Sequence, residues 1–143
     1  MNLFMKLIAG TAAVVASASA LALPRGFYVQ ETNGNDHIIF HKTAGGNVSV
    51  MMNVIESDFS TYEYQTRNNQ FQNQICTKMK NQTPIGGPRF HCSNPMNREP
   101  YTLHIIDIGD GMVADIRIWG DGYPGFGITY DDVQALMNYW SNE

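Results

Sequence analysis

Tyr101-Thr102-Leu103-His104-Ile105-Ile106-Asp107-Ile108-Gly109-Asp110-Gly111-Met112-Val113-Ala114-Asp115-Ile116-Arg117-Ile118-Trp119 reads as two strands and the turn between them. β-Branched and aromatic residues favour extended backbone. Asp110-Gly111 is a pair that suits a primed two-residue hairpin turn. With those two residues as the turn, Ile105 pairs with Ile116 and Leu103 with Ile118. The opposite face then sets His104 against Arg117 and Ile106 against Asp115. A three-residue loop starting at Gly109 would instead put His104 among isoleucines. A one-residue slip turns every side chain to the other face. The expected register is the first, which keeps His104, Asp115 and Arg117 together and in water.

Working outward, further strands precede this hairpin. Phe27–Glu31 and His37–His41 flank Asn33-Gly34, another hairpin signal. A two-residue turn there pairs Val29 with Ile38 and Phe27 with Phe40. Val48 to Ile55 alternates, with Val48, Val50, Met52 and Val54 on one side. Between this meander and Tyr101 the period changes. Tyr64, Phe71, Ile75 and Met79 recur at helical spacing, so a helix is expected over about 60–80, capped by Asp58 or Ser60. Residues 81–100 read as a Pro-rich loop. After the hairpin, Thr129 and Asp132 resemble a capping box, Ile128 and Val133 suit a hydrophobic staple, and Val133, Leu136, Met137 and Trp140 form an apolar stripe. That predicts a second helix over about 130–141. The expected fold is α+β: an antiparallel sheet of five or six strands with two helices.

The N-terminus sets the expected compartment. Lys6, the apolar run Leu7 to Val15, and the small-x-small sites Ala18-Ser19-Ala20 and Ala20-Leu21-Ala22 fit a secretory signal peptide over residues 1–22. Residues 23–143 then form one globular domain, periplasmic or extracellular. Cys76 and Cys92 are the two cysteines of the chain. In an oxidising compartment they are expected to form a disulfide. Closing a loop of that length contributes roughly 3 kcal/mol in the loop-entropy account.

Charge narrows the partners. The chain carries 9 Lys+Arg and 13 Asp+Glu, a formal net charge of −4. Loss of Lys6 with the leader makes the remainder more acidic still. Nucleic acid and anionic membrane reward a basic patch, so both are set aside. No segment after the leader is apolar enough for stable membrane insertion. The acids concentrate towards the C-terminal third, at Asp107, Asp110, Asp115, Asp121, Asp131 and Asp132, which suits a basic protein partner.

Candidate chemistry is sparse. His37 and His41 share a strand face but sit roughly 13 Å apart along it, too far for one metal ion. No metal site and no cofactor are expected. His104 near Asp115 and Arg117 is the arrangement that a general base needs, and also that of an exposed cross-strand polar pair. Gly120-Asp121-Gly122-Tyr123-Pro124-Gly125-Phe126-Gly127 is the most unusual stretch. Its glycines permit a protruding loop, with Asp121, Tyr123 and Phe126 as binding residues. The competing reading has these aromatics capping the core. Together these features predict an exported binding protein, an inhibitor or immunity-type partner of another secreted or envelope protein. The alternative is a small secreted hydrolase using His104, Asp115 and Arg117.

Overall fold

In the computed structural model, seven antiparallel strands form one sheet, in the order β1-β2-β3-β7-β6-β5-β4. The structure describes residues 22–34, 36–43, 47–80, 84–120, 123 and 127–142. In chain order these give β1 (Phe27–Asn33), β2 (His37–Lys42), β3 (Val48–Glu56), α1 (Phe59–Arg67), β4 (Ile75–Lys78), β5 (Arg89–Ser93), β6 (Pro100–Gly109), β7 (Met112–Trp119) and α2 (Tyr130–Ser141). The residues expected to form a signal peptide, 1–22, lie outside the described residues except for Ala22. The expected α+β class holds, with seven strands rather than five or six.

Both faces of the sheet are covered, and this decides the central strands. α2 lies on one face. Its Val133, Leu136, Met137 and Trp140 meet Ile38, Phe40, Val50, Met52, Ile116 and Ile118. α1 lies on the other, where Tyr62 joins Phe90, Tyr101, Leu103, Ile105 and Val113. A strand covered on both sides reads as a nearly continuous apolar run, as β6 does at Leu103-His104-Ile105-Ile106.

The expected β6–β7 register is therefore corrected. The Asp110-Gly111 turn is primed as expected, with positive φ of 53° and 74°. Gly109, also at positive φ, adds a bulge that shifts the register between Asp107 and Gly109. His104 consequently pairs with Ile116 and Ile105 with Asp115. The first hairpin is shifted too: Val29 pairs with Phe40 and Phe27 with Lys42, with an irregularity between Val29 and Glu31.

The helix expected over 60–80 is also corrected. α1 ends at Arg67, where Asn68 caps it and Asn69 takes a left-handed φ of 55°. Asn is a poor helix former and tolerates this conformation. The remaining part of the expected helix contributes β4, whose Cys76 faces the core while Ile75, Thr77 and Lys78 are exposed. Asp58 is the α1 cap, its carboxylate accepting from Thr61 N at 3.0 Å. Cys76 and Cys92 are directly paired across β4 and β5 and joined by a disulfide, with Cα atoms 4.1 Å apart. β5 lies inside the stretch expected to be loop. α2 matches its expected bounds, and its Thr129–Asp132 capping box is complete.

Candidate functional site

Under α1, the sheet buries a carboxylate. Asp115 sits on β7 with no exposed surface. Its Oδ2 accepts from the Tyr62 hydroxyl at 2.5 Å, and its Oδ1 accepts from Arg117 Nε at 2.9 Å. Arg117 Nη2 adds a longer contact of 3.3 Å to Oδ2. Asp115 and Arg117 share a face because they are two apart on one strand. Arg117 also stands over the Tyr101 ring at 5.4 Å, and Tyr101 leans on Trp119 at 5.2 Å. The Tyr101 hydroxyl donates to Gln74 Oε1 at 2.6 Å. Burial and the Asp115 charge both raise the Tyr62 phenol, so it remains protonated and donates. Burial alone would lower the Arg117 guanidinium, but Asp115 outweighs it and raises it.

On the α2 face, a second polar chain runs through His104, Tyr123, Tyr130 and Arg89. His104 is wholly buried on β6, and its Nε2 hydrogen bonds to the Tyr123 hydroxyl at 2.9 Å. Tyr123 packs edge-on against Tyr130, whose hydroxyl accepts from Arg89 Nη1 at 2.5 Å. Arg89 stands directly opposite His104 across β5 and β6. Burial, with the Arg89 charge beside it, lowers His104 from 6.5 to about 3. The imidazole is neutral at any ordinary pH. Burial, then Tyr130, raises the Tyr123 phenol.

The three residues of the expected catalytic alternative are thus divided. Asp115 and Arg117 are together, on the α1 face. His104 is on the opposite face, and the sheet separates it from them. Asp115 is engaged by Tyr62 and Arg117, and neutral His104 is held by Tyr123. These contacts suit anchoring of α1 and of the Tyr123 segment. They give no His–carboxylate pair, so the expected wet cluster is replaced by two structural ones. Tyr123 packs on the core rather than standing free, because its ring lies between His104 and Tyr130. Asp121 and Phe126 lie outside the described residues. Among the described residues, no group of three or more His, Cys, Asp or Glu is placed to hold a metal ion. His37 bonds Asn53 at 2.6 Å and His41 bonds Ser49 at 2.9 Å.

Sequence reasoning missed a different feature. A cleft of about 590 Å³ lies between α1 and the β4–β5 edge. Phe59 and Met79 supply apolar lining, and the exposed cations Arg67, Lys78 and Lys80 outnumber the single carboxylate Glu63; Arg89 also borders the cleft, but its buried guanidinium is engaged by Tyr130. Glu63 accepts from Lys78 at 2.9 Å and approaches Arg67 at 3.6 Å. Tyr64 lies beneath the Arg67 guanidinium and is 52 % exposed. The signal for this cleft was Lys78-Met79-Lys80, hidden by reading it as helix. The acids sort elsewhere: Asp58, Asp107 and Asp110 line a cleft of about 320 Å³ at the β6–β7 turn. No family model matches the chain, and no curated protein or solved structure matches it.

Proposed function

We propose that this is an exported binding protein, an inhibitor or immunity-type partner of another secreted or envelope protein. The observation that carries the reading is the α1–β4 cleft with its exposed rim. Protein interfaces are enriched in Tyr, Met and Arg around apolar pockets. Here Phe59, Met79 and Arg67 line a cleft of about 590 Å³, exposed Tyr64 packs against Arg67 at its side, and exposed Ile75 lies on the same strand as Lys78. The leader-like residues 1–22 and the Cys76–Cys92 disulfide support export to an oxidising compartment.

The cleft's charge revises the expected partner. One of the six clustered aspartates, Asp115, is buried and unavailable. The cleft itself has more cations than acids although the chain is acidic. Its complement is a protein segment with an apolar side chain and a carboxylate, rather than a basic one. Charge complementarity of this kind sets orientation and association rate.

Immobilised protein challenged with envelope extract tests this reading. Wild type should retain a discrete partner, and a Lys78→Glu, Lys80→Glu double variant that still unfolds cooperatively, with at most a small loss of stability from the lost Lys78–Glu63 pair, should release it. Retention by the folded double variant contradicts the reading.

A further inference from the structure

We infer that a second cleft, at the far end of the α1 face, binds a neutral carbohydrate. It goes beyond the protein-binding reading and uses different residues. Two adjoining hollows, of about 70 and 340 Å³, share Trp119 and Glu99 and so form one groove. Arg117, Tyr101, Asn73, Asn94 and Asn97 line the narrow lobe. Asn47, Ser49 and Pro100 line the wide one.

The groove's aromatic wall is fixed before any ligand arrives. Tyr101 is held at its hydroxyl by Gln74 and across its ring by Arg117, which is itself clamped by buried Asp115. Trp119 leans on Tyr101 and is the element common to both lobes. A rigid aromatic wall costs little ordering on binding, and its apolar face suits the C–H face of a pyranose.

The polar lining is complementary to hydroxyl groups. Asn94 Oδ1 accepts from Met96 N at 2.8 Å, and Asn97 Oδ1 accepts from Glu99 N at 2.9 Å. With their oxygens occupied, both side chains offer NH₂ donors. Glu99 forms no ion pair among the described residues and offers an acceptor. A sugar hydroxyl both donates and accepts, so it can use both kinds of partner. Arg117 is neutralised by Asp115, which leaves Glu99 as the uncompensated charge of the lining. An anionic sugar is disfavoured by that carboxylate.

Tryptophan fluorescence tests this directly. The chain has two Trp residues, and Trp140 is buried in the core. Acrylamide quenching therefore reports chiefly on Trp119. The probes are cellotetraose and chitotetraose as neutral ligands, and tetragalacturonate as an anionic one. At least one neutral tetrasaccharide should shift the emission and protect Trp119 from acrylamide. Asn97→Ala and Glu99→Gln, both at exposed positions, should each weaken that binding about tenfold or more without changing the circular dichroism. Trp119→Ala should abolish it, with nuclear magnetic resonance titration replacing the lost fluorescence. Failure of every neutral probe at millimolar concentration, equal binding of tetragalacturonate, or unaltered binding by the folded Asn97 and Glu99 variants overturns the proposal. None of these outcomes bears on the α1–β4 cleft, whose test uses Lys78 and Lys80.

Discussion

Tyr62 and Asp115 tie the first helix to the middle of the sheet: the Tyr62 hydroxyl donates to Asp115 Oδ2 at 2.5 Å, and neither side chain is exposed beyond a few per cent. Around that bond, Arg117 supplies the counter-charge and Tyr101 the ring on which Arg117 lies. Two of the three residues that looked most reactive in sequence, Asp115 and Arg117, therefore hold α1, and with it one wall of the α1–β4 cleft, in place.

Removing either partner should loosen α1. Tyr62→Phe leaves Asp115 paired to Arg117 alone and should cost about 1–2 kcal/mol. Asp115→Ala leaves a largely buried guanidinium without its carboxylate and should cost about 3 kcal/mol, the low end for breaking a buried pair because Arg117 keeps some solvent contact. Urea unfolding measures both. Equal, negligible effects would show that the contact does not anchor the helix.

His104 should make the protein acid-sensitive. Its folded value of about 3 lies below the ordinary 6.5, so the unfolded chain binds the extra proton between those limits. Stability is then full above pH 6.5 and declines as pH falls towards 3, by up to about 1.4 kcal/mol per pH unit. His104→Gln should flatten the unfolding free energy over that interval. An unchanged slope in the variant would assign the acid response to other groups.

Reducing the disulfide should release the β4 edge. Cys76→Ser with Cys92→Ser should lower stability by roughly 3 kcal/mol. Hydrogen exchange should rise first in Ile75–Lys78 and in its partner Phe90–Ser93. Uniform exchange across the sheet would argue against a local staple.

Gly87→Ala should be destabilising by more than about 1 kcal/mol. The residue has φ +71°, and a Cβ there would come within 2.1 Å of the Ile105 carbonyl oxygen. Gly34→Ala shares the positive φ but has open space around it, and should cost less. Thermal unfolding of the two variants compares them.

The sequence was most legible where local and tertiary signals agreed. α2 was readable to the residue because the Thr129–Asp132 box, the staple and the Val133–Trp140 stripe all describe one helix on one sheet. β3 was readable because only one of its faces is strongly apolar. The β6–β7 register was not, because alternation carries no sign when helices cover both faces, and the deciding Gly109 bulge is one residue long. β4 was hidden by its brevity: Cys76 alone turns inward, and the Tyr64-Phe71-Ile75-Met79 spacing imitates a buried helix although Tyr64, Ile75 and Met79 are exposed. The candidate site suffered from the same two errors. The slipped register brought His104 to Asp115, and the false helix dispersed Lys78, Met79 and Lys80.

The central claim is that the α1–β4 cleft meets a protein partner, and site-specific photo-crosslinking in the producing cell tests it most directly. Tyr64, beside the cleft, and Tyr28, on the opposite edge strand, are both exposed tyrosines suited to replacement by benzoylphenylalanine. The account predicts a discrete adduct from position 64 that Lys78→Glu with Lys80→Glu removes, and no such adduct from position 28. The same adduct from both positions, or none from position 64 in cells that produce the folded protein, would contradict it.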